Sequence, residues 1–240
     1  MNRTLLVWLF GPVVFLGAAQ LAAGQGAILI QHSGATDPTS EGFSLSGAGV
    51  TGPVLDDMGV SAWIMQTTNG SPLNYLQTLT PIQQSEIGGA NWDLSATVRS
   101  VQYTHTGRVQ FSAGPEGAFF LNFGVDTKGD PTVSVTSDLS RPTFVLTNRG
   151  STYNTYQLLY EAADNSASLW VNGVREVNNI KGDSSYSSSY WGVDWGESQS
   201  PFGMQANWNS VFLTTPEPSP AALLFLGSGV LFYLRRKVRR

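Results

Sequence analysis

The chain has 240 residues, enough for one large β domain or two small domains. Charged residues make up 12%, about half the usual ~25%, the formal net charge is −4, and 41% of residues are apolar and 11% aromatic, which excludes a disordered chain. There is no cysteine, which excludes disulfides, thiolate metal sites and cysteine nucleophiles, but not export, because a large β domain is stable without cross-links.

At the N-terminus, Met1-Asn2-Arg3 supplies a positive start and residues 5–19 an apolar run. Ala22 and Gly24 then stand where the small residues of a cleavage site belong. This pattern predicts a secretory signal peptide over residues 1–24. Residues 25–215 carry 7 Lys and Arg against 16 Asp and Glu, a net charge of −9. A domain this acidic lacks the basic patch that a nucleic-acid binder needs.

Strands are expected at residues 27–32, at 60–67 ("VSAWIMQT") and at 95–103, where Ala96 and Val98 share one face and Thr97, Arg99 and Val101 the other. Between the last two lies "TPIQQSEIGG". Thr80 as N-cap, Pro81 at the first helical position and Gln83 completing a capping box predict one short helix, closed by Gly88 in a left-handed conformation. Further strands are expected at 118–125, 132–136 and 143–146. "YQLLYEAADNSASLWVNGVREV" gives the clearest pattern: strands at 156–161, 167–171 and 174–177, with Asn172-Gly173 as a type I′ hairpin turn. Leu169 and Val171 share one face, Ser168 and Trp170 the other. A closing strand is expected at 206–213. Many short strands at this spacing, with no long helical period, predict one antiparallel β-sandwich over residues 25–213.

The last residues change character. Pro216-Glu217-Pro218 is followed by an uncharged, apolar run over 219–234 and then by Arg235, Arg236, Lys237, Arg239 and Arg240. Sixteen helical residues rise about 24 Å, which predicts a short transmembrane helix for a hydrocarbon core of about 30 Å. The five cations form a stop-transfer cluster that stays in the cytoplasm. The prolines keep the triplet extended above the membrane.

This tail resembles the PEP-CTERM sorting signal. The resemblance implies a transient anchor, recognised at Pro216, Glu217 and Pro218 by an exosortase-type membrane protease, in a Gram-negative bacterium that makes exopolysaccharide and biofilm. Thr215 stands where that family often has Val. The order of strands, with "NWDLSATVRSV", the "SLWVNG" hairpin and the terminal "QANWNSVFL", resembles concanavalin A-like, LamG-type jelly-roll domains. That likeness implies two large antiparallel sheets, often with a glycan-binding or catalytic face and sometimes a calcium site.

Some hydrolases of that fold carry Glu-x-Asp-x-x-Glu on one strand. Here the nearest approach is Gly192-Val193-Asp194-Trp195-Gly196-Glu197, in which glycine replaces the first essential carboxyl. The chain is therefore expected not to be an enzyme. Asp56-Asp57 reads as a turn, and the lone His32 and His105 as structural or surface residues. Asp126 and Asp130, around "TKG", are weak calcium candidates. Trp63, Trp92 and Trp208 are expected in the core.

"SSYSSSYWGVDWGESQS" is read as a Ser- and Gly-rich loop whose aromatics form a platform for sugar rings. Tyr190, Trp191, Asp194, Trp195 and Glu197 are the candidates, with Tyr186 beside them. The expected function is binding of exopolysaccharide by an exported envelope or matrix protein. The alternatives are a structural surface protein without a ligand and a glycosidase or lyase.

Overall fold

Alternating apolar residues form strands because successive side chains point to opposite faces. In the computed structural model, which describes residues 26–67, 72–101, 107–135, 144–146, 152–186, 190–197 and 204–216, that alternation builds two antiparallel sheets packed face to face. In chain order the elements are β1 (Ile28–Ser33), β2 (Ser44–Gly47), β3 (Val50–Leu55), β4 (Ser61–Thr67), β5 (Leu73–Thr78), α1 (Pro81–Ile87), β6 (Trp92–Ser100), β7 (Gly107–Ala113) and β8 (Ala118–Val125). There follow β9 (Pro131–Val135), β10 (Phe144–Val145), β11 (Asn154–Glu161), β12 (Ser166–Val171), β13 (Val174–Ile180), β14 (Trp191–Glu197) and β15 (Met204–Thr214).

One sheet has eight strands in the order β13-β12-β11-β6-β15-β4-β3, with β1 also paired to β15. The other has seven, in the order β10-β9-β8-β7-β14-β5-β2. The long β15 holds β6 along one edge, and β4 and β1 in succession along the other. Thr215 N donates to Ala27 O, so the two ends of the sandwich meet.

The core lies between the sheets. From the eight-stranded sheet, Trp92, Leu94, Ala96 and Val98 of β6 and Trp208 of β15 are buried; from the seven-stranded sheet, Phe111 of β7, Phe119, Leu121 and Phe123 of β8, and Tyr75 of β5 are buried. Trp92 stacks on Tyr160 with centroids 4.8 Å apart and meets Phe111 and Phe119 edge-on. Trp63, Trp92 and Trp208 are core residues, as expected from the sequence.

The capping box of α1 is present: Gln83 N donates to Thr80 Oγ1 and Thr80 N donates to Gln83 Oε1. Its end is a correction. Gly88 is extended, with φ −62° and ψ 116°, and Gly89 takes the left-handed position instead. The Asn172-Gly173 turn has both residues at positive φ, as a type I′ turn requires.

Two hairpin loops repeat one design. Asp56 Oδ1 accepts from the N–H groups of Met58 and Val60, and Asp126 Oδ1 accepts from those of Lys128 and Asp130. The first loop is also clamped to the outer face of the eight-stranded sheet, where Arg99 donates to Asp56 Oδ2 at 3.1 Å and pairs with Asp57. Arg99 holds the Asp57 carboxyl below the usual carboxylate range.

Among the described residues no helix is long and apolar enough to cross a membrane. The expected signal over 1–24, Glu217, Pro218, the expected span over 219–234 and the basic residues Arg235 to Arg240 lie outside the described residues. Pro216 is described and is exposed just beyond β15.

Candidate functional site

Within the stretch read as an aromatic loop, Trp191–Glu197 is a strand, and that is the main correction. β14 runs through the seven-stranded sheet between β5 and β7, with Asp194 opposite Leu76 on one side and Gln110 on the other. Residues 191, 193 and 195 therefore face the core, and Asp194 faces out. Trp195 is fully buried. It stacks on His32 (centroids 4.7 Å, 23°) and Tyr75 (5.0 Å, 28°), and meets Phe43 and Trp208. A ring covered in this way has no face left for a sugar. The platform at Trp195 is withdrawn.

Trp191 is half-buried against the core. A Cβ on Gly114 would stand 2.3 Å from its indole, so the ring lies directly on the Gly114 backbone. Backbone bonds pin the strand start: Leu79 N donates to Trp191 O at 2.9 Å, and Gly114 N to Tyr190 O at 3.2 Å. Trp191 is packing as well. Tyr186 and Glu197 are placed only by their backbones, in a 3-10 turn and at the end of β14.

What β14 presents outward is polar. Asp194 exposes about a fifth of its side chain, and Arg108 of β7 donates from Nη2 to its Oδ2 at 3.5 Å, a long and weak contact. Asp194 Oδ1 is shielded and has no hydrogen-bond partner among the described residues. Burial pushes the Asp194 carboxyl above the usual carboxylate range, and Arg108 offsets only part of this. Gln110 lies beside Asp194 in register and donates from Nε2 to Ser112 Oγ at 2.8 Å. Asn74 of β5 joins the same face, also with a shielded, unpartnered Oδ1.

Tyr190 completes the cluster. A Cβ on Gly192 would lie 2.4 Å from Tyr190 Oη and 2.4 Å from the backbone oxygen of Gln77. The tyrosine hydroxyl thus fills the place where a side chain of residue 192 would leave the strand. Burial pushes the Tyr190 hydroxyl up to about 12, so it remains a neutral donor and acceptor at physiological pH.

The site is therefore one carboxylate of raised pKa, one guanidinium, two side-chain amides and a phenol, on neighbouring strands of one sheet. Of the sequence candidates, Tyr190 and Asp194 meet there. Trp191 and Trp195 do not. Arg108, Gln110 and Asn74 were not legible as site residues, although "GRVQFSA" alternates Val109 and Phe111 with Arg108 and Gln110 and so carries a strand signal.

Of the other candidates, His105 lies outside the described residues and the rest are accounted for locally. Asp126 spends Oδ1 on its own turn, and among the described residues no group of three or more His, Cys, Asp or Glu could hold a metal ion. His32 is fully buried, with Nδ1 2.7 Å from Glu41 Oε2, and burial lowers its pKa despite that carboxylate.

Solved structures share this fold. A carbohydrate esterase from the Shiga toxin-encoding bacteriophage phi24B superposes with a TM-score of 0.55 at 11% identity, over 80% of this chain and 100% of that one. The binding domain of botulinum neurotoxin DC gives 0.53 at 8% identity in complex with rat synaptotagmin II, over 83% of this chain and 51% of that one. The same domain in complex with SialylT gives 0.51 at 7% identity, over 84% and 51%. The chain spans about half the length of the neurotoxin binding domains it matches. At such identities the likeness is one of fold alone. No protein-family model and no curated protein matches the chain.

Proposed function

We propose that this chain is an exported, concanavalin A-like jelly roll that binds a glycan of the cell envelope or extracellular matrix on the outer face of its seven-stranded sheet. The observation that carries the reading is Asp194. Among the described residues it keeps an unpartnered oxygen on an outward face, with only a long contact to Arg108. An ionised carboxylate held this way costs the fold stability at neutral pH, because its pKa is raised. A largely buried carboxylate that costs stability at neutral pH is accounted for by what it binds. Sugar hydroxyls donate to carboxylates and accept from guanidinium, amide and phenol groups, the inventory around Asp194. The SialylT complex of the neurotoxin binding domain and the phage esterase support a carbohydrate role for this fold.

Asp194→Asn tests the reading in the full-length chain purified in detergent. The fold should melt at the same temperature or slightly higher, since the raised pKa means that ionised Asp194 stabilises nothing near pH 7. Retention in native gels containing soluble polysaccharide should fall roughly tenfold, as expected for loss of a charged hydrogen bond. Unchanged retention would remove Asp194 from the site.

The same proposal assigns export to residues 1–24 and sorting to Pro216-Glu217-Pro218, with residues 219–234 as a transient anchor cut by an exosortase-type protease. Exposed Pro216, directly after the sandwich, supports accessibility of the triplet. Replacing the triplet by Ala-Ala-Ala should leave full-length protein in the membrane of an exosortase-containing strain. Normal release of that variant would sink the sorting role.

A further inference from the structure

The outer face of the eight-stranded sheet carries a second feature. Leu169 and Val171 of β12 are fully buried, so Trp170 between them points away from the core. Trp63, Trp92, Trp195 and Trp208 are buried in the core, and Trp191 packs against it. Among the described residues, Trp170 is thus the tryptophan that leaves the sandwich. It is half-buried, yet its Nε1 is shielded and has no partner among the described residues. What it shows to solvent is therefore ring carbon.

Its neighbours are polar and ordered. Trp170 lies opposite Gln157 of β11 and Arg175 of β13, and the Arg175 guanidinium carbon is 5.8 Å from the ring centroid. Gln157 Nε2 donates to Asp93 Oδ2 of β6 at 2.6 Å, which fixes the amide, and among the described residues its oxygen is left to accept. Burial pushes Asp93 above the usual carboxylate range. Strands about 4.8 Å apart put β12 and β6 about 10 Å from one another, so the row extends beyond a single ring.

We infer that Trp170 is the apolar floor of a second carbohydrate subsite, for a neutral glycan chain, with Arg175 and Gln157 bonding its hydroxyls and Asp93 positioning Gln157. Pyranose C–H faces are apolar and stack on indole carbon, while their equatorial hydroxyls need donors and acceptors at the ring edge. The net charge of −9 over residues 25–215 disfavours a polyanionic chain. The inference rests on the glycan-binding reading but places its contact on the opposite sheet. The two faces together would let one domain bridge two polymer chains.

Native gels containing dextran, laminarin or hydroxyethyl cellulose, run with the full-length chain in detergent, test this. Trp170→Ala should weaken retention about two- to tenfold, judged from aromatic contact energies. Trp170→Phe should restore most of it, and thermal unfolding of both should stay near the parent's. Loss of retention in Trp170→Ala but not in Asp194→Asn would support this subsite and overturn the Asp194 reading. The reverse pattern would overturn this inference and leave that reading standing. A large fall in melting temperature for Trp170→Ala, matched by Trp170→Phe, would show a packing residue. A parent chain retarded by none of the three polymers would overturn both.

Discussion

Trp195→Ala should cost the fold about 3–5 kcal/mol, the range for removing a large buried aromatic. The ring is fully buried and touches four others: His32, Phe43, Tyr75 and Trp208. Deleting it leaves a cavity between the two sheets. It also leaves His32 without its stacking partner while Glu41 still holds one ring nitrogen. Against a total stability of about 5–15 kcal/mol this is a large fraction. For a domain of this size each kcal/mol shifts the melting temperature by roughly 2–4 °C, so a fall of about 6–20 °C is expected. Trp195→Phe should lose much less. It keeps most of the aromatic volume and removes a buried indole N–H that has no partner among the described residues. Thermal unfolding of the two variants decides the matter, and equal melting of Trp195→Ala and parent would show that the ring is not in the core.

The same residue shows why part of the fold was legible and part was not. Strands such as β6, β8, β11 and β12 announce themselves by β-prone residues alternating between a buried and a solvated face. β14 alternates just as strictly: Trp191, Val193 and Trp195 are spaced by two, with Gly192, Asp194 and Gly196 between them. Two glycines lower its β-propensity and a Ser-rich run precedes it, so composition pointed to a loop where periodicity pointed to a strand. Periodicity was the better guide, because burial of three side chains on one face outweighs the backbone cost of two glycines. β2 and β3 were missed for a different reason. Both are edge strands with exposed residues, "SLSG" and "VTGPVL", and an edge strand with a proline and little buried area leaves little pattern. Arg108, Gln110 and Asn74 could not be read as a site, because only register places them beside Asp194. The alternation that sets Trp170 on the face opposite Leu169 and Val171 was legible.

Gly192 is the position that separates the proposed binding face from the glycosidase pattern. Supplying the missing carboxyl as Gly192→Glu should not create a hydrolase. The new Cβ would meet the backbone oxygen of Gln77 at 2.4 Å and Tyr190 Oη at 2.4 Å. Real Cβ atoms do not approach that closely, and the Gln77 oxygen belongs to the neighbouring strand, paired with β14 along its length. β5 and β14 must separate locally, and the tyrosine must also leave its shielded place. Overpacking of this kind costs about 1–3 kcal/mol and here falls at the upper end, since one of the clashing atoms is backbone. Gly192→Ala isolates the steric part: it should destabilise nearly as much without adding charge. Gly192→Ala combined with Tyr190→Phe removes the hydroxyl contact but leaves the ring Cζ at 2.7 Å and the Gln77 oxygen at 2.4 Å, and should recover only part of the loss. Thermal unfolding of the three variants, with reducing-sugar release from soluble polysaccharides as the activity readout, gives the result. Turnover by Gly192→Glu at undiminished stability would mean that both Tyr190 and the β5 backbone yield their places easily and that this strand is a hydrolase strand lacking one residue.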